Sequence, residues 1–223
     1  GLGDVYKRQI LKIGIPSAFQ YSLFAFANLF VQSSVNSFDH VLVEGNSAAA
    51  NADPLVYDMM AAFYTACSSF IAQNFGARKK KRILQTYLIC LFYSFITSLV
   101  LGVGIYLARY PFLYLFTSDK AVVEAGITRL SIMALSYSAS AFMDASIAAS
   151  RGLGKTAVPT FVVVMGSCVF RIIWIYTIFA YFHTIQSLYI LYVFSWGITA
   201  IAENIYFFHV YRHTLTGKTE SHL

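Results

Sequence analysis

Residues Ala141–Pro159 read AFMDASIAASRGLGKTAVP. A run of small and apolar residues carries one carboxylate, Asp144, and then breaks at Arg151-Gly152-Leu153-Gly154-Lys155. A second apolar run starts directly after the break. Two long apolar runs joined by a short, basic, glycine-containing turn read as two helices meeting at a membrane surface.

Working outward, the same pattern recurs along the chain. Of the 223 residues, 58% are hydrophobic and only 12% are charged, against about 25% charged in a soluble domain. A hydrocarbon layer about 30 Å thick needs roughly 20 apolar residues per helix. Six such spans are predicted, at about 13–38, 47–75, 83–108, 121–150, 156–182 and 185–211. Pro16 falls in the first turn of span one, where its missing N–H costs least. Pro54 predicts a kink in span two. The fold class is therefore all-α and polytopic, and six runs of spanning length exclude buried soluble helices. The loops leave no room for a separate domain. Gly1–Gln9 is unlike the chain that follows and is set aside as a non-native scar, with an upstream part expected to be missing. Residues 213–223 read as a polar tail.

The formal net charge of +6 would hint at nucleic acid in a soluble chain. Here the positive residues sit in alternate short loops. Lys12, Arg78, Lys79, Lys80, Lys81, Arg82, Arg151, Lys155, Arg212 and Lys218 fall on one side, and only Arg109 and Lys120 on the other. The positive-inside bias then places both ends in the cytoplasm. No nucleic-acid partner is expected; the bilayer is. Cys67, Cys90 and Cys168 stand alone in apolar runs, without the spacing of a disulfide framework or metal knuckle.

Charged groups at membrane depth are costly, by about 2.5–3.5 kcal/mol on insertion scales, so each needs a role. Tyr137, Ser140, Asp144, Ala148 and Arg151 share one helix face at steps of three and four. Asp144 reads either as a proton or sodium site or as a structural carboxylate. Asn51 and Asp58 share a face of span two, and Asp58 is a candidate for lining a cavity. Asp53 lies on another face, read as near the outer interface. Asn28, Gln32 and Asn36 form an amide stripe on span one, suited to a polar cavity or to joining two helices. Arg171 is expected either to be neutralised by Asp58 or to be anchored on backbone carbonyls. Glu203 lies nearest Asp144 in level. The many aromatic residues read mainly as interfacial belts.

Other signals fail. Gly154-Lys155-Thr156 ends like a P-loop, but Ala149 stands where the motif needs glycine, and a helix precedes it. Gly102-Val103-Gly104 lacks a third glycine. His209 and His213 form a single HxxxH pair at a membrane boundary. No nucleophile–base set stands out, so no catalytic residue, cofactor or tightly held metal is expected.

Several stretches in order resemble the multidrug and toxic compound extrusion (MATE) family: Ile13-Gly14-Ile15-Pro16, Gln73-Asn74-Phe75-Gly76-Ala77, Leu115-Phe116-Thr117-Ser118-Asp119, Arg151-Gly152-Leu153-Gly154 and Phe170-Arg171-Ile172-Ile173-Trp174. The resemblance implies the C-terminal six-helix lobe of a twelve-helix bacterial transporter. It implies export of small cationic or amphipathic organic compounds in exchange for H+ or Na+, by rocking against the missing N-terminal lobe in the plasma membrane. Asp144 falls where some branches place a cation-binding Asp, which makes a Na+ near it the one metal to expect. Phe24 and Ser140 replace the Glu and Tyr of those branches. The alternatives are a lipid-linked oligosaccharide flippase of related architecture and, from another class, a membrane-embedded enzyme.

Overall fold

The computed structural model describes residues 2–214, so Gly1 and most of the polar tail lie outside the described residues. Among the described residues the chain is helical, without strands. The helices are α1 (Leu2–Val35), α2 (His40–Ala50), α3 (Ala52–Gly76), α4 (Lys80–Leu107), α5 (Arg109–Tyr114) and α6 (Lys120–Gly152). Two more complete the lobe: α7 (Ala157–Phe182) and α8 (Ile185–His213). Five helical units are long and apolar enough to cross a membrane: α2 with α3, then α4, α6, α7 and α8. Helix α1, 34 residues long, contains the uncharged run from Ile13 onward and most of the residues set apart as a scar; it is not among those five.

Local chemistry fixes the helix ends. Asp39 caps α2 by accepting from the Leu42 N–H at 2.9 Å, and Asp119 caps α6 by accepting from the Ala121 N–H at 2.8 Å. The turn after α6 closes with Lys155 N–H on the Ser150 carbonyl at 3.0 Å. It passes through Gly154 at φ +75°, a conformation that glycine adopts without steric cost. The basic turn of the opening stretch thus has its physical reason.

Span two departs from expectation. It begins at His40, not near residue 47, and it is broken at Asn51, between α2 and α3. Pro54 explains the break, since it cannot donate to the Ala50 carbonyl one turn back. Asn51 compensates: its side-chain amide donates to the Ser47 and Ala48 carbonyls, each at 3.1 Å.

Helix α6 is the axis of the lobe. Two-thirds of its most apolar window is buried (67%), against 17% for that of α4, and α2, α3, α4 and α8 all pack on it. Small residues allow the backbones to meet, as packing in lipid requires. A Cβ on Gly45 would lie 2.7 Å from the Ala125 Cβ, and one on Gly102 would overlap the Ala134 carbonyl oxygen. Helix α7 is wound more widely at Val164–Val169 and Ile175–Phe179, two π-helical stretches flanking Arg171. Such stretches recur at functional sites. Helix α1 packs along α7 and α8 and leaves Phe19, Phe26 and Leu29 exposed.

Candidate functional site

Two polar clusters lie at different levels of the lobe, and Tyr57 of the first stands within electrostatic reach of Asp144 of the second. The first lies where α1 ends and α8 begins. It surrounds a cavity of about 320 Å³, toward the lower end of small-molecule pockets, which run roughly 300–1,000 Å³. Six helices reach it, with Asn28 and Gln32 from α1, Asn46 from α2, Asp53 and Tyr57 from α3, Arg129 from α6, Arg171 from α7, and Tyr192 and Trp196 from α8.

Each charge there has a defined setting. Arg129 donates to Asp53 Oδ2 at 2.5 Å and to Asn46 Oδ1 at 2.7 Å. Tyr137 donates to the other Asp53 oxygen at 2.5 Å. Asp53 is therefore not an interfacial acid. It is the counter-ion of a buried arginine, linking α3 to α6. Arg171 is fully buried. It donates to Asn28 Oδ1 at 2.7 Å and to Ser195 Oγ at 3.4 Å. Its Cζ lies 4.7 Å from the Phe24 ring centroid and 4.6 Å from that of Tyr192, within cation–π range.

Asp58 does not neutralise Arg171. Its position on α3 is exposed, while Arg171 takes its partners from α1 and α8. Backbone carbonyls do not anchor Arg171 either. The amide stripe of span one divides: Asn28 holds Arg171, and Gln32 donates to Asn36 at 2.9 Å. Asn51 lies outside the cavity lining and closes the helix break instead. Ser140 is buried and donates to the Tyr137 carbonyl at 2.8 Å within its own helix.

The second cluster lies toward the Arg151 turn. Arg151 donates to Gln20 Oε1 at 2.7 Å, and Thr160 donates to the same oxygen at 3.2 Å. Asp144 and Glu203 lie within electrostatic reach of Arg151 and of each other. Glu203 is fully buried, and neither of its carboxylate oxygens has a hydrogen-bond partner among the described residues. One oxygen of Asp144, Oδ2, is in the same condition. Both acids are thus short of hydrogen-bond donors among the described residues, Glu203 at both oxygens and Asp144 at one.

Sequence reading missed Arg129, Asn46, Tyr57, Tyr192 and Trp196 as cavity residues. The nearest signal was Arg129 itself, a charge inside a predicted span, which at membrane depth demands a partner.

The MatE family model matches residues 16–177, and the chain belongs to that family of membrane transporters. Among solved structures it is similar to the Vibrio cholerae MATE transporter VcmN in its bent form (TM-score 0.82, 18% identity, covering 92% of this chain and 47% of that one). It is similar to a MOP-superfamily transporter from Pyrococcus furiosus, described as having a binding pocket of reversed polarity (0.84, 20%, 94% and 47%). It is also similar to the MATE transporter ClbM in complex with Rb+ (0.81, 20%, 92% and 48%). The chain spans about half the length of these transporters, as one lobe. A search of curated proteins returned no match.

Proposed function

We propose that this chain is one lobe of a secondary active antiporter that moves small organic compounds out of the cell in exchange for H+ or Na+. The observation that carries the reading is the separation of two polar clusters within one lobe. An aromatic cavity of small-molecule size lies at one level and two acids short of donors at another, with Tyr57 within electrostatic reach of Asp144 between them. Repeat-built transporters place such sites inside the bundle and rock one lobe against the other around them. The rocking partner is the N-terminal lobe of the same polypeptide. The reading puts the multi-pass lobe in the plasma membrane, with the basic Arg78–Arg82 loop and the Arg151 turn in the cytoplasm. No chemical step is involved.

The test uses the full-length gene, expressed in cells and assayed in inside-out vesicles. Uptake of amphipathic dyes is measured with an imposed pH or sodium gradient. Uptake that collapses when both gradients are dissipated supports the reading. Uptake that persists without either gradient, or absence of uptake for cationic, neutral and anionic dyes alike, overturns it.

A further inference from the structure

The cavity does not have the electrostatics expected for cations. Its lining holds two guanidiniums, Arg129 and Arg171, and one carboxylate, Asp53. Asp53 is committed to Arg129 through the 2.5 Å ion pair. Helix α1 and helix α8 contribute amides, a serine hydroxyl and aromatic rings to this region, but no acid. Arg171 therefore keeps its full charge with only neutral groups on it, at 0% exposure. Its Nη1 and Nε are engaged, and its Nη2 has no hydrogen-bond partner among the described residues.

A buried cation with a free donor is costly on its own account. Arg171 is closed to water in this conformation, so an entering anion would reach Nη2 by displacing a neighbouring side chain; once there it would offset that cost and accept the free N–H. The planar guanidinium suits a carboxylate or phosphate oxygen. Around it, Tyr57, Tyr192 and Trp196 supply aromatic surface for an organic body, with the Tyr57 and Trp196 rings 6.1 Å apart. An organic cation would instead meet the unbalanced charge of Arg171 without a free acid to receive it.

We propose that the cavity binds a small aromatic or amphipathic organic anion, with its acidic group on Arg171 Nη2 and its body against the tyrosines and Trp196. The proposal rests on the transporter reading for its place in a transport cycle, and it replaces the cationic substrate class with an anionic one.

The deciding variant is Asn28→Asp. Asn28 Oδ1 already accepts from Arg171 at 2.7 Å, so the substitution supplies the missing counter-charge at nearly constant shape. The measurement is equilibrium binding to full-length protein in lipid nanodiscs, using 2-naphthoate and its cationic counterpart, 2-naphthylmethylammonium. In the unaltered protein 2-naphthoate is expected to bind roughly tenfold tighter or better, the scale of one charge-assisted hydrogen bond. Asn28→Asp is expected to abolish that preference while leaving thermal stability unchanged or raised. Arg171→Lys is expected to retain part of it, and Arg171→Gln none.

Equal or tighter binding of the cation to the unaltered protein overturns the proposal. A preference that survives Asn28→Asp in a folded protein overturns it as well. The transporter reading fails separately. Naphthoate bound through Arg171 without any gradient-driven dye uptake leaves the site standing and removes transport. Gradient-driven uptake of cations, unaffected by naphthoate, does the reverse.

Discussion

Arg129 on α6 and Asp53 on α3 form an ion pair at 2.5 Å, and Tyr137 holds the second Asp53 oxygen at the same distance. The pair spans the two helices just beyond the break at Asn51. There the backbone of α3 restarts and cannot be steadied by the preceding turn alone. Removing one member leaves the other uncompensated beside the cavity. Breaking a fully buried pair costs about 3–5 kcal/mol; Asp53 keeps 30% exposure, so Asp53→Ala is expected to destabilise the full-length protein by less than that. Asp53→Leu combined with Arg129→Met should recover most of that loss. Thermal unfolding in detergent, followed by size-exclusion chromatography, checks both. A double variant no more stable than the single one would show that the charges do not act as a pair.

Gly102 and Gly104 lie two residues apart on α4 and predict opposite outcomes. A Cβ on Gly102 would overlap the carbonyl of Ala134, whereas nothing lies within 4 Å of one on Gly104. In an open helix position Gly→Ala gains about 0.5–1 kcal/mol. Gly104→Ala should be neutral or stabilising by that measure. Gly102→Ala should force α4 away from α6 and lower the melting temperature of the full-length protein. Melting curves for the two variants, run side by side, separate close packing from helix propensity, and equal curves would contradict the contact.

The contrast marks what could be read from the residues alone. The all-α membrane fold, five of the spans and the Arg151–Lys155 turn were legible, because apolar run length and glycine at positive φ act locally. The family motifs carried the lobe assignment. The partner of Arg171 was not legible. Depth along a helix gives a level but no azimuth, and Asp58, at a suitable level, points away from the bundle. Asp53 was misplaced for the same reason. Its role depends on the break at Asn51, and the turn of α3 that follows rotates it toward Arg129. Asp144 and Glu203 were recognisable as neighbours in level because both lie near the same surface, where errors in rise are small.

Those two acids yield a prediction on coupling. Asp144→Asn in the full-length protein is expected to weaken ion-driven efflux by about tenfold, within the usual range of coupling between sites. Binding of 2-naphthoate should change far less than efflux, since Asp144 does not line the cavity and reaches it only electrostatically, through Tyr57. Glu203→Gln should alter the pH or sodium dependence of efflux, because Glu203 lies within electrostatic reach of both Asp144 and Arg151. Efflux assays in vesicles across a range of pH and sodium concentration measure both effects. Normal efflux by Asp144→Asn, with the same ion dependence as the unaltered protein, rules out a coupling role for Asp144.

Topology can be tested with little chemical disturbance. Cys67, Cys90 and Cys168 are buried, so a membrane-impermeant maleimide should leave them unlabelled in the folded protein. Ser118, in the loop before α6, and Lys155, in the turn after it, are both exposed. They mark opposite ends of a 33-residue helix, which at 1.5 Å per residue is about 50 Å long and reaches across the bilayer. With the basic loops inside, Ser118→Cys should be labelled in intact cells. Lys155→Cys should be labelled only after permeabilisation or in inside-out vesicles. The opposite pattern would invert the lobe and place the Arg171 cavity in the cytoplasmic half. Labelling of both positions from one side would mean that α6 does not cross the membrane, and would remove the basis for assigning the two polar clusters to different levels of the bilayer.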